Sequence, residues 1–172
     1  ALVKAGADID QALTTEGVTP LCISAHLGHV EVLRALIEAG ADIDKALTSG
    51  ATPLYIAAHN GKVEVVQALV EAGANTHQAL KDGSTPLFVS AQNGNVELVR
   101  ALVEAGANID QPSTRDEVTP LYISAENGHA EVVRALLKAG TIVDKAASPP
   151  GEAATPLFIS ANNGHAEVVR AL

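Results

Sequence analysis

An all-α repeat solenoid, built of helix-turn-helix units joined by hairpin or loop fingers, is the fold this sequence predicts, and three observations predict it. The triplet Thr-Pro-Leu recurs with its Thr at Thr19, Thr52, Thr85, Thr119 and Thr155, at intervals of 33, 33, 34 and 36 residues. Nine residues after each Thr stands a Gly (Gly28, Gly61, Gly94, Gly128, Gly164), and in the first four units another follows twelve residues later (Gly40, Gly73, Gly106, Gly140). The apolar mass is almost all Ala, Val, Leu and Ile, with aromatics at 2% and no Trp or Met, a composition suited to closely packed short helices. A repeated period of this length marks stacked supersecondary units.

The first helix of each unit is opened by Thr-Pro. Thr is a good N-cap, and Pro is tolerated at the first helical position because its missing N–H would have been unpaired there anyway. The Gly nine residues on stops that helix and turns the chain. A second helix follows, as in Val63-Glu64-Val65-Val66-Gln67-Ala68-Leu69-Val70-Glu71, whose apolar residues form one stripe at helical spacing. Ala72-Gly73 caps it. The rest of the unit, Ala74 to Ser84 in this example, is rich in Asn, Asp and Gly and suits an extended turn or hairpin. A helix pair this short cannot bury its stripe alone, and stacking on similar neighbours solves that problem.

The pattern Thr-Pro-Leu-x-x-Ala-Ala-x-x-Gly-His-x-Glu-Val-Val, then Leu-x-x-Ala-Gly-Ala-Asp, resembles the ankyrin repeat over the whole chain. The resemblance implies a single array over 1–172, with a partial unit at 1–18, full units at 19–51, 52–84, 85–118 and 119–154, and a partial unit at 155–172. One departure is systematic. The His that the family carries after Thr-Pro-Leu is here Cys22, Tyr55, Phe88, Tyr122 and Phe158, and these four aromatics, the chain's full complement, are expected as a ladder inside the solenoid. The second family His survives as His29, His129 and His165 but is Lys62 and Asn95 elsewhere, so the usual bonds between units cannot all form. Arrays of this family are often hydroxylated at an Asn in the finger; the matching positions here, Asp10, Asp44, His77, Asp110 and Asp144, include no Asn. Neither end carries the polar face of a capping repeat, so the natural protein is expected to continue in both directions. The isolated chain should be poorly soluble or frayed at its ends.

Composition narrows the function. With 20 acidic residues against 11 Lys and Arg, a net charge of −9 and no basic run, the chain lacks the footprint of nucleic-acid binding. Every apolar run is broken well short of a membrane span, so no direct membrane insertion is expected. A lone Cys22 rules out an internal disulfide framework and favours an intracellular, cytoplasmic or nuclear setting; no targeting segment is visible.

Catalytic readings are weak. Cys22 and His26 share i,i+4 spacing, but Cys22 fills the slot of Tyr and Phe in sister units and reads as core. His26 and His29 lack the further ligands of a zinc site. No nucleotide or hydrolase motif is present, so no enzyme activity, cofactor, metal or small-molecule substrate is expected. The recurring Glu31, Glu64, Glu97, Glu131 and Glu167, three before Arg34, Gln67, Arg100, Arg134 and Arg170, read as a solvated outer face.

The expected partner is therefore a protein or a large assembly. In ankyrin arrays, partners dock on the finger tips and the exposed end of the first helix, on the concave face. Mapped by motif, the helix-end positions are His26, Leu27, His59, Asn60, Gln92, Asn93, Glu126, Asn127, Asn162 and Asn163. The tips include Thr15-Glu16, Thr48-Ser49, Lys81, Asp82, Arg115, Asp116 and the segment Pro149-Pro150-Gly151-Glu152. This face reads as polar and Asn-rich, with Arg115 its one Arg and neither Trp nor Tyr. Two other readings stand beside it: a structural subunit of a large complex, or the targeting array of a longer multidomain enzyme.

Overall fold

The computed structural model describes residues 6–13, 15–114, 116–147 and 154–172. Residues 1–5 of the first partial unit and the Pro149–Glu152 tip lie outside them. The helices are α1 (Pro20–Leu27), α2 (Val30–Glu38), α3 (Pro53–His59), α4 (Val63–Glu71), α5 (Pro86–Gln92), α6 (Val96–Glu104), α7 (Pro120–Glu126), α8 (Ala130–Lys138), α9 (Pro156–Asn162) and α10 (Ala166–Ala171). Odd-numbered helices pack each on the next to form an inner row. Even-numbered helices form an outer row, and each inner helix also packs on its own outer one.

Each inner helix begins as the sequence implies. The hydroxyls of Thr19, Thr52, Thr85, Thr119 and Thr155 accept from the amides of Cys22, Tyr55, Phe88, Tyr122 and Phe158, with Pro in the first turn. The ends differ in detail. Gly28 itself caps α1, whereas in the later units Asn60, Asn93, Asn127 and Asn163 take the cap position and the Gly follows. Buried Ser24, Ser90, Ser124 and Ser160 turn their hydroxyls onto carbonyls of their own helices, so these polar groups cost little inside the stack.

The core is one continuous layer between the rows. Leu21, Leu54, Leu87 and Leu121 are fully buried, yet the equivalent Leu157 is 47% exposed because no following pair lies on it in this chain. Val65, Leu98, Val132 and Val168 are likewise buried while the equivalent Val32 is 52% exposed. The contrast identifies the burial that each pair owes to its neighbours, the nearest-neighbour coupling of a solenoid.

The fingers are loops rather than hairpins. Among the described residues the bridge between Ala147 and Ala154 is the only strand-like pairing. Other fingers are closed by backbone bonds gathered on one residue, Leu47 N donating to Ala51 O (2.9 Å) while Leu47 O accepts from Gly50 N (2.8 Å), and Leu80 N donating to Ser84 O (2.9 Å) while Leu80 O accepts from Gly83 N (3.0 Å). Successive fingers are also tied together, Thr48 N donating to Glu16 O (2.9 Å) and Thr114 N to Asp82 O (2.8 Å).

The aromatic ladder does not form: Phe88 and Tyr122 are buried, but Tyr55 is half-buried and Phe158 is 56% exposed in the last pair. The aromatic ring contact among the described residues is Tyr55 stacked on His59, one turn along the same helix, at 6.3 Å. The outer-face charges pair in two ways. Glu131 pairs with Arg134 and Glu167 with Arg170 within a helix, but Arg34 reaches Glu71 on the next helix pair at 3.1 Å.

Candidate functional site

Two cavities lie where the fingers meet the inner helices. The first, about 350 Å³, lies mainly between α1 and α3 and is lined by Val18, Cys22, Ile23, His26, Leu47, Ala51, Tyr55, Ile56, His59 and Asn60. The second, about 430 Å³, runs over α3, α5 and α7. Tyr55, Phe88, Val89, Tyr122 and Ile123 supply its apolar lining, and His59, Asp82, Ser84, Gln92, Ser113, Asp116 and Glu126 its polar one. Tyr55 and His59 border both, so the stacked pair is the saddle of one groove.

The predicted binding residues divide into three groups. His26, His59, Asn60, Asp82, Gln92, Asp116 and Glu126 line the groove. Leu27, Lys81 and Asn162 are exposed near it but line neither cavity.

The third group ties neighbouring helix pairs together. The side-chain amide of Asn93 donates to His59 O (3.1 Å), that of Asn127 to Gln92 O (3.1 Å) and that of Asn163 to Glu126 O (3.0 Å). His129 Nε2 joins Asn127 on Gln92 O (3.0 Å), and His165 Nε2 joins Asn163 on Glu126 O (2.8 Å), so each ring carries its proton on Nε2. Asn60 instead folds back onto Ile56 O of its own helix (2.7 Å). Arg115 lies outside the described residues.

Sequence reasoning missed the groove's apolar lining. Tyr55 and Tyr122, placed by pattern inside the stack and away from this face, border the groove, and Ile23, Ile56, Val89 and Ile123 accompany them. The signal was present. Tyr55 and His59, Phe88 and Gln92, and Tyr122 and Glu126 are each four residues apart, one above the other on a helix, so a groove-facing second member implies a groove-facing first.

Burial raises the Tyr55 hydroxyl above its ordinary range, and the nearby Asp82 carboxylate raises it further. Tyr122 is raised in the same way, first by burial and then by Glu126. The Cys22 thiol is directed at Lys45 O, 3.7 Å away, from a buried position, while His26 is exposed. No group of three His, Cys, Asp or Glu side chains placed to hold a metal occurs among the described residues.

The opposite face has a larger cleft, about 650 Å³, between α6 and α8. Exposed Arg100, Glu104, Arg134 and Lys138 wall it, and Arg134 is already engaged with Glu131 and Glu167. No helix among the described residues is long and apolar enough to cross a membrane. A family model described as ankyrin repeats in three copies matches residues 1–79 and 72–147. No curated protein gives a significant match.

Proposed function

Since the chain belongs to the ankyrin-repeat family, whose arrays are generally non-catalytic modules of protein-protein interaction, we propose that it binds a protein partner along the groove between its fingers and inner helices, the concave side of the array, and catalyses no reaction. The observation that carries this reading is the convergence of His59, Asp82, Gln92, Asp116 and Glu126 around the tyrosine-bearing second cavity. Protein anchors favour recessed apolar and aromatic ground with polar groups at its edge. The larger outer cleft is less suited to this role, because its walls are long charged side chains that must be ordered and desolvated on binding.

Within this reading the whole chain acts as one array with the unit boundaries given above. Asn93, Asn127 and Asn163 support the groove instead of contacting the partner, since their amides are spent on the preceding helix pair. A second reading is a structural subunit of a larger assembly, held through the outer cleft that Arg100, Glu104, Arg134 and Lys138 wall. Affinity capture with the chain and with a variant carrying His59→Ala, Gln92→Ala, Asp116→Ala and Glu126→Ala separates the two. The groove reading expects a defined protein to be lost from the variant. Equal capture by both forms would overturn it in favour of the outer face.

A further inference from the structure

The groove has two unlike halves, and the difference specifies a partner. Around the first cavity the lining is aliphatic and aromatic, and its polar groups are uncharged or imidazole. Ile23 and Ile56 face it from successive inner helices. Around the second cavity stand Asp82, Asp116 and Glu126, and no Lys or Arg is among the described residues that line it. None of the three carboxylates takes part in an ion pair among the described residues, although Arg34, Arg134 and Arg170 all do on the outer face. Asp82 spends one oxygen on Ser84 N (2.9 Å). Each of the two tyrosines bordering this cavity lies within the field of one of these carboxylates, Tyr55 near Asp82 and Tyr122 near Glu126.

Three like charges gathered over apolar ground repel one another and attract a counter-charge, and the low dielectric of the floor strengthens that attraction. Building on the groove reading, we propose that the partner presents an extended segment with one apolar side chain for the Ile23–Ile56 cavity and a pair or cluster of Lys or Arg for the Asp82–Asp116–Glu126 cavity. Inner helices of such a stack lie roughly 10 Å apart, so the cavity centres are on the order of 15 Å apart, about four or five residues of extended chain. A basic and apolar segment of a protein meets this spacing. A nucleic acid, anionic along its whole length, is repelled by the same carboxylates.

An unbiased library of displayed random peptides, roughly 16 residues long so as to span both cavities, tests this directly. Selected peptides are expected to carry an apolar residue and a Lys or Arg cluster about four or five positions apart. Their affinity should fall about tenfold in the triple variant Asp82→Asn, Asp116→Asn and Glu126→Gln, and fall again as salt is raised through the range where the Debye length drops to about 10 Å. The substitutions keep the shapes, and the amide that replaces the Asp82 carboxylate keeps an oxygen to accept from the Ser84 N–H, so the melting temperature should not fall below that of the parent chain. Replacing each peptide's Lys and Arg by Glu, with the unaltered chain as target, tests the same charge pairing without relying on the variant; binding is expected to be lost.

Peptides of neutral or acidic character that nonetheless lose binding in His59→Ala and Gln92→Ala would overturn the partner chemistry and leave the groove reading in place. Peptides that bind every variant equally would overturn both.

Discussion

At Gly94 one missing side chain lets two helix pairs lock together. The residue has φ of +73°, and a Cβ there would stand 2.6 Å from Nδ1 of His129, the ring that donates to Gln92 O. Gly94→Ala is therefore expected to cost about 2–3 kcal/mol, from a left-handed backbone and a disturbed inter-unit bond. Gly61→Ala, where the nearest atom is Asn95 Nδ2 at 3.8 Å, should cost only the backbone part. Urea unfolding of the two variants side by side checks this, and equal losses would show that the His129 ring can step aside freely. The tyrosines give a pH prediction at the same scale. Both hold their protons more tightly in the folded chain than unfolded, so their contribution is whole below the ordinary value of 10.0 and is lost as pH rises past it. The melting temperature should fall with pH in that alkaline range, and Tyr55→Phe should lessen the fall. With two Tyr and no Trp in the chain, tyrosinate absorbance reports the ionisation cleanly.

Among the elements, the inner helices were the most legible part of the sequence, because Thr-Pro states both the cap and the first turn. The fingers were less so: Asn, Asp and Gly mark a turn but do not say whether its flanks pair as strands, and here a tight turn closes the fingers at Leu47 and Leu80 without a ladder. What fixes one finger base to the next is a carboxylate. Asp10 accepts from Asp42 N (3.2 Å), Asp44 from Asn75 N (3.0 Å), and Asp110 from Ile142 N (3.0 Å) and the Thr141 hydroxyl (2.6 Å). At the junction between, the position is His77, which has no carboxylate to offer Asn108 N. His77→Asp is thus expected to stabilise the chain by about 1 kcal/mol through a new bond of the same kind. An unchanged or lowered urea midpoint would show that this junction is held by packing alone.

Across the whole molecule, what was readable from sequence and what was not divide along a physical line. A period and a cap motif belong to each unit by itself, so the stacked architecture and the polar rim at His59, Gln92 and Glu126 could be placed from them. Whether an amide or a ring is used up by the neighbouring unit depends on the stack, which is why Asn93, Asn127 and Asn163 read as free surface and the half-buried Tyr55 as hidden core. The same dependence predicts uneven stability in this chain. Slowest amide exchange is expected in α5 and α6, covered on both sides, and fastest in the pair α9–α10, where Leu157 and Phe158 lie open. Recognition along the groove is measured most simply by amide exchange of the chain with and without the tightest-binding selected peptide. A peptide held in the groove should bring new protection to α1, α3, α5 and α7 and to the fingers at Asp82 and Asp116, with the outer helices unchanged; protection confined to α6, α8 and the outer cleft would contradict groove recognition.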